Sequence, residues 1–152
     1  MREVCYLCPN LKQMKYILGF TLLVLLASCG GNERKITGRW KLDRIDYAEH
    51  FKNVPEEVRD MLMRKMDEEF ERLKGKTFFT FGADASLKLE SPNFLGKIVT
   101  VGGKYHFNDD QDSLFFDIEI PESYKVLELS KDSMSIRTDE MPKRTLYLSK
   151  QK

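Results

Sequence analysis

Hydrophobic residues recur along this chain with two different periods, and the change of period marks its organisation. Between residues 54 and 75 the apolar positions Val58, Leu62, Met66, Phe70 and Leu73 step by three or four, and Met61 widens the stripe. Arg59, Arg64, Asp67, Glu68, Glu71 and Arg72 cover the opposite side, so the pattern predicts an amphipathic helix over 54–75. Pro55 suits its first turn, Glu56, Glu57 and Asp60 complement its positive end, and Lys74-Gly75 ends it. Burying five such side chains is worth roughly 1.5–3 kcal/mol each. The stripe must therefore meet a surface, and the helix is expected to act as a lid or plug over an open end or side of the remaining structure. Met61, Met63 and Met66 suit ordinary core packing, with a soft ligand-contacting surface as the alternative.

From Thr77 onward the period is two. Strands are expected at Thr77–Phe81 and Ser86–Glu90, turning at Gly82-Ala83-Asp84, then at Ile98–Phe107 and from Leu114 to Ile120. Tyr124–Leu129, Ser133–Thr138 and Arg144–Lys150 complete the run. Gly102-Gly103 falls mid-strand and suggests a bulge or sharp coil. Upstream of the helix, Trp40 and Leu42 share one face of a further strand, with Gly38 turning the chain into it. The expected fold is mainly β: an eight-stranded antiparallel up-and-down barrel or strongly coiled meander, with one amphipathic helix inserted between strands 1 and 2. A part-open meander or a β-sandwich is the alternative.

A different segment precedes all this. Met14-Lys15 is a short basic start, and Tyr16 to Leu26 is nearly all apolar. That run is too short for a bilayer core, which needs roughly 20 residues, and has the form of a secretory signal peptide. It ends in Leu26-Ala27-Ser28-Cys29, which resembles the lipobox of bacterial lipoproteins at each position. The resemblance implies cleavage before Cys29 and acylation, for example by palmitate, of its thiol and new amine. It thus implies a signal peptide over 1–28, a lipidated tether over 29–35 and a domain over 36–152. Because a basic start already exists at Met14, residues 1–13 read as an upstream extension from a misassigned start codon, and the Cys5-x-x-Cys8 pair within them as incidental.

Gly38-x-Trp40 in the first strand resembles the signature of lipocalins and their bacterial relatives, in which the Trp plugs the closed end of a meander barrel and a late-strand Arg packs on it. The resemblance implies Arg144 for that role, then Arg137. The second lipocalin motif, Thr-Asp-Tyr, is absent, so the chain is more similar to the looser lipocalin-like lipoproteins of gut-type Bacteroidetes.

Composition narrows the function. Cleavage before Cys29 removes Arg2, Lys12 and Lys15 against Glu3, turning the formal net charge from +1 to about −1. No basic excess supports nucleic-acid binding. Only Cys29 of the three cysteines survives, so no disulfide is expected. Asn108-x-Asp110-x-Asp112-Ser113 with Glu119 approaches a calcium loop, but Ser113 replaces the turn glycine and the flanks alternate as strands, so a polar hairpin turn is expected. His50 and His106 stand in no metal-ligand spacing, and no nucleophile elbow or phosphate loop occurs. Neither a metal, a cofactor nor an enzymatic activity is expected. The reading is an envelope lipoprotein anchored to the outer membrane through Cys29, facing the periplasm, that holds a small apolar or amphipathic ligand without catalysis. Candidate ligand residues are Trp40, Phe79, Phe81, Tyr105 and Phe116. The alternative is a structural or protein-interaction lipoprotein whose barrel is filled by its own side chains.

Overall fold

A computed structural model describes residues 31–152. The signal segment, the Cys5/Cys8 pair and Cys29 lie outside the described residues. Helix α1 (Asn32–Ile36) and strand β1 (Gly38–Asp46) come first, then helix α2 (Glu56–Leu73). β2 (Phe78–Phe81), β3 (Ser86–Pro92), β4 (Ile98–Phe107), β5 (Ser113–Asp117), β6 (Glu122–Leu129), β7 (Ser133–Thr138) and β8 (Arg144–Lys150) follow. All eight strands pair antiparallel with their sequence neighbours, and β8 returns to β1 to close the barrel. The fold is the barrel expected from the sequence, with the helix between β1 and β2. The sandwich and the open meander are ruled out by the β1–β8 ladder, which runs from Trp40↔Lys150 to Asp46↔Thr145.

Alternation dictates which side chains enter the barrel. Trp40, Leu42, Phe79, Phe81, Leu87, Tyr105, Phe107, Leu114, Phe116, Tyr124, Met134, Ile136, Leu146 and Leu148 form one buried cluster. A bulge between Leu42 and Arg44 resets the alternation, so that Ile45 faces inward beside Leu146 while Arg44 lies outside over the Tyr147 ring. Each turn at the β1 start, β2–β3, β4–β5 and β6–β7 lies at one end, here called the closed end, and the remaining turns and α2 lie at the other, the mouth.

Residues 32–35, assigned above to a tether, are instead helical. Asn32 uses its backbone N–H and side-chain amide to donate to Gln111 in the β4–β5 turn, at 3.1 and 2.8 Å. Ile36 is fully buried against Trp40, whose indole N–H donates to the Ile36 carbonyl at 2.6 Å. α1 therefore seals the closed end. Gly38 has φ +132°, a backbone conformation closed to L side chains, and the Lys150 side chain fills the space a Cβ would need.

Two further expectations change. β5 stops at Asp117 rather than running to Ile120. Gly102-Gly103 makes no bulge: its register with Lys88 and Leu87 is continuous. Gly103 instead lets β5 approach so closely that a Cβ would lie 2.3 Å from the Asp117 carbonyl oxygen. The pairing of β4 with β5 begins only at Lys104↔Asp117.

Candidate functional site

The closed half of the barrel is solid. Phe79 and Phe81 stack, Phe81 meets Tyr105 edge-on at 5.0 Å between centroids, and Phe116 touches Phe79, Phe81 and Tyr124. The Tyr105 hydroxyl donates to the Gly82 carbonyl at 2.9 Å. All five candidate ligand residues, Trp40, Phe79, Phe81, Tyr105 and Phe116, thus lie together in this packed half, none more than 5% exposed. They pack against one another as a floor, and among the described residues none of them lines the grooves at the mouth or the closed end.

The role implied for a late-strand arginine falls to a lysine. Lys150, the register partner of Trp40, places its ammonium 5.2 Å from the indole centroid and donates to the Lys35 carbonyl at 2.9 Å. Arg144 enters β8 three turns of alternation earlier and sits at the mouth. Arg137 sits on the outer face of β7, its Nε 3.4 Å from Asp139. The choice between arginines assumed the residue type, whereas the register decides the position.

The mouth is built differently. Glu122, Tyr124 and Arg144 share the inward faces of β6 and β8. Arg144 Nη2 donates to Glu122 at 3.0 Å and to the Tyr124 hydroxyl at 3.2 Å, and that hydroxyl donates to the other Glu122 oxygen. Burial pushes the Tyr124 phenol well above its ordinary range, Glu122 adds to the rise, and Arg144 opposes it. Tyr47, just past β1, is also raised by burial, with the Arg144 charge working against it. The cluster is therefore an ion pair with a neutral phenol, held among apolar walls.

Those walls are incomplete in two places. β1 pairs with β2 only over Gly38–Lys41, leaving Asp43–Asp46 unpaired on that side. α2 lies there: a groove of about 370 Å³ runs between Asp43–Asp46 and Met63, Asp67, Phe70, Glu71 and Lys74. Phe70 is the buried anchor of α2, and Arg72 donates to the Asn93 carbonyl at 3.1 Å. The helix thus covers a side of the barrel, as its apolar stripe requires, although Val58 and Met61 at its far end remain exposed. The second break lies between Ile98–Gly103 of β4 and the end of β5, where no ladder forms. Val99 and Val101 face inward opposite Ser91 and Leu89, yet Val99 is 45% exposed. Phe94, Leu95, Ile120 and Met141, on the mouth turns, are between 66% and 81% exposed.

Other motifs resolve simply. Asn108–Ser113 is a polar turn in which the Asn108 side chain accepts from the Asp112 and Ser113 N–H groups. His106 stacks on Phe115 outside the barrel, 3.2 Å from Asp117, and His50 packs edge-on against Phe51. Sequence reasoning missed Glu122, Tyr124 and Val99 as mouth residues. The signal for the first two was present: polar residues at inward positions of alternating strands.

No family model matches the chain, and no curated protein matches it. Its fold is similar to that of a lipocalin-like protein from Bacteroides uniformis ATCC 8492, with TM-score 0.52 and 16% identity over 77% of this chain and 99% of that one. Lower scores relate it to an uncharacterized protein from Bacteroides eggerthii DSM 20697 (TM-score 0.49, 13% identity, 76% and 99% covered) and to a DUF4847 family protein from Bacteroides vulgatus ATCC 8482 (0.46, 12%, 80% and 99%). At such identities the likeness is one of fold: an eight-stranded, lipocalin-like antiparallel barrel.

Proposed function

We propose that the chain is a lipoprotein of the bacterial cell envelope, anchored to the outer membrane through acylated Cys29 and facing the periplasm. Its barrel takes a small apolar or amphipathic ligand at the mouth, without catalysis. One observation carries this reading: the uncovered break between β4 and β5 leaves inward-facing Val99 open to solvent at the same end as a half-buried Arg144–Glu122–Tyr124 cluster. An apolar wall facing a few fixed polar groups is the usual make-up of a small-molecule site. The ligand's apolar part would lie along Leu89, Val99, Val101 and Ile118, and its polar end near Arg144 and Tyr124. The packed aromatic half supports a shallow site in the mouth and not one along the barrel axis.

That same packing favours a second reading, a side-chain-filled barrel whose exposed mouth turns dock a protein. Native mass spectrometry of protein gently purified from a bacterial envelope separates the two. The expected result is an extra small-molecule mass, lost on denaturation and lost in a Val101→Trp variant that fills the opening. A bare mass, unchanged after exposure to mixed envelope lipids, would overturn the ligand reading in favour of the second.

A further inference from the structure

The closed end of the barrel is where the chain enters, and it carries one basic groove among otherwise mixed charges. A groove of about 350 Å³ at that end is lined by Arg34 and Lys35 of α1, by Leu129, Ser130 and Lys131 around the β6–β7 turn, and by Lys150. Four of these six residues are cations and none is a carboxylate. Arg34, Lys35 and Lys131 are exposed, and among the described residues none of them takes part in an ion pair. Lys150 is occupied by Trp40 and the Lys35 carbonyl, so it braces the groove while the other three point outward.

Chain length adds an independent constraint. An extended chain spans at most about 3.6 Å per residue, so Cys29 lies within about 11 Å of Asn32, the first residue of α1. Whatever is fixed at Cys29 is therefore held close to this end of the barrel. The mouth lies beyond the full length of the strands. We propose that the closed end is a docking surface for anionic lipid headgroups, with Arg34, Lys35 and Lys131 facing the phosphates and the mouth directed away from the membrane. Anchoring through Cys29 rests on the reading above, but the charge of the groove does not.

The same end also carries an acidic turn, Asp109, Asp110 and Asp112, between β4 and β5. In a closed barrel of eight strands this turn stands across the axis from the β8–β1 seam, where α1 leads into β1. α1 spans the two: Asn32 is held on Gln111 within the acidic turn, and Ile36 lies beside Trp40 of β1, so the chain from Cys29 enters beside the acidic turn and the basic groove lies at the other end of α1. Attraction of the groove's exposed cations to an anionic leaflet falls with added salt, and exposed Glu33 and Asp132 beside them work against it.

The lysines report the orientation themselves. The chain is held on vesicles through Cys29, by its own acyl groups or, where its intact mass shows none, by coupling the Cys29 thiol of residues 29–152 to a maleimide lipid. The intact mass thus tests acylation separately from docking. Amine acetylation is then followed residue by residue on vesicles of phosphatidylglycerol with phosphatidylcholine, and of phosphatidylcholine alone. Lys35 and Lys131 should react several-fold more slowly on the anionic vesicles, while Lys97 and Lys143 at the mouth keep their rates. High salt, or Arg34→Glu, should restore the Lys131 rate. Equal rates at both ends on both vesicles, or slowing at Lys97 and Lys143, would overturn the proposal.

Discussion

Replacing Gly103 with alanine tests how closely β4 and β5 approach, because its neighbour provides the control. A Cβ on Gly103 would lie 2.3 Å from the Asp117 carbonyl oxygen and 2.7 Å from Ile118 Cγ2. One on Gly102 would meet nothing within 4 Å. Both residues have a backbone open to alanine, so neither substitution is strained by φ. Relief at Gly103 requires β5 to retreat by about 1 Å, since non-bonded carbon contacts relax only above about 3 Å. A hydrogen bond stretched by that much no longer counts as one. Forced overpacking costs typically 1–3 kcal/mol, and a lost ladder bond adds about 1 kcal/mol. Gly103→Ala should therefore cost about 3 kcal/mol. Gly102→Ala should be neutral or stabilise by about 0.5 kcal/mol, through the unfolded chain.

Urea unfolding of residues 31–152, followed by fluorescence, reads both variants, because Trp40 is the sole tryptophan and is fully buried. A drop of about 12 °C in Tm for Gly103→Ala, at roughly 4 °C per kcal/mol for a domain of this size, is the thermal equivalent. Equal effects from the two variants, or less than about 1 kcal/mol at Gly103, would refute the close approach. The account of why the β4–β5 ladder stops at Lys104 would fall with it.

Three further outcomes are expected. Ile36→Ala should cost about 3 kcal/mol in the same urea assay, as for other buried isoleucines; a loss within about 0.5 kcal/mol would make α1 an appendage and not a seal. Lys150→Met should cost about 1–2 kcal/mol and shift the Trp40 emission, whereas Arg144→Met should leave that emission unchanged, because it acts at the other end of the barrel. Stability should fall as the pH rises above about 10. Tyr124 keeps its proton in the folded barrel after the unfolded chain, titrating near 10.0, has lost its own, so rising pH favours unfolding. Tyr124→Phe should flatten that alkaline limb of the stability curve, measured by urea midpoints across the range, and an unchanged slope would mean that another group causes it.

Most of the fold was legible because it depends on period. Alternation over β2–β8 and the 3.6-residue stripe of α2 are local signals, and a chain of short antiparallel strands joined by tight turns has few ways to pair. The errors arose where position depends on distant partners. The end of β5 is set by Gly103 in the neighbouring strand, not by its own alternating Ile118 and Ile120. Asn32–Lys35 reads as a polar tether, and only the indole N–H of Trp40 on the Ile36 carbonyl and the Asn32 bonds to Gln111 give it a place. Lys150 rather than Arg144 covers Trp40 because the β1–β8 register puts it there, and register cannot be counted from either strand alone.

The candidate site was the least legible part, for a related reason. The search for ligand residues followed aromatic content, and those five large side chains, at inward positions of β1, β2, β4 and β5, pack against one another in the core. What remains open is decided where pairing fails. An unpaired strand edge beside exposed apolar groups invites association with other chains, and proteins usually cover or blunt such edges. At the β1 side this chain supplies α2 as a cover. At the β4 side it supplies none among the described residues. There the edge is blunted by other means: Lys97 precedes it, and Gly102 and Gly103 end it, with Asp117 and Ile118 closing on Gly103. Those features keep strands from adding to β4 while leaving Val99 accessible to something smaller than a strand.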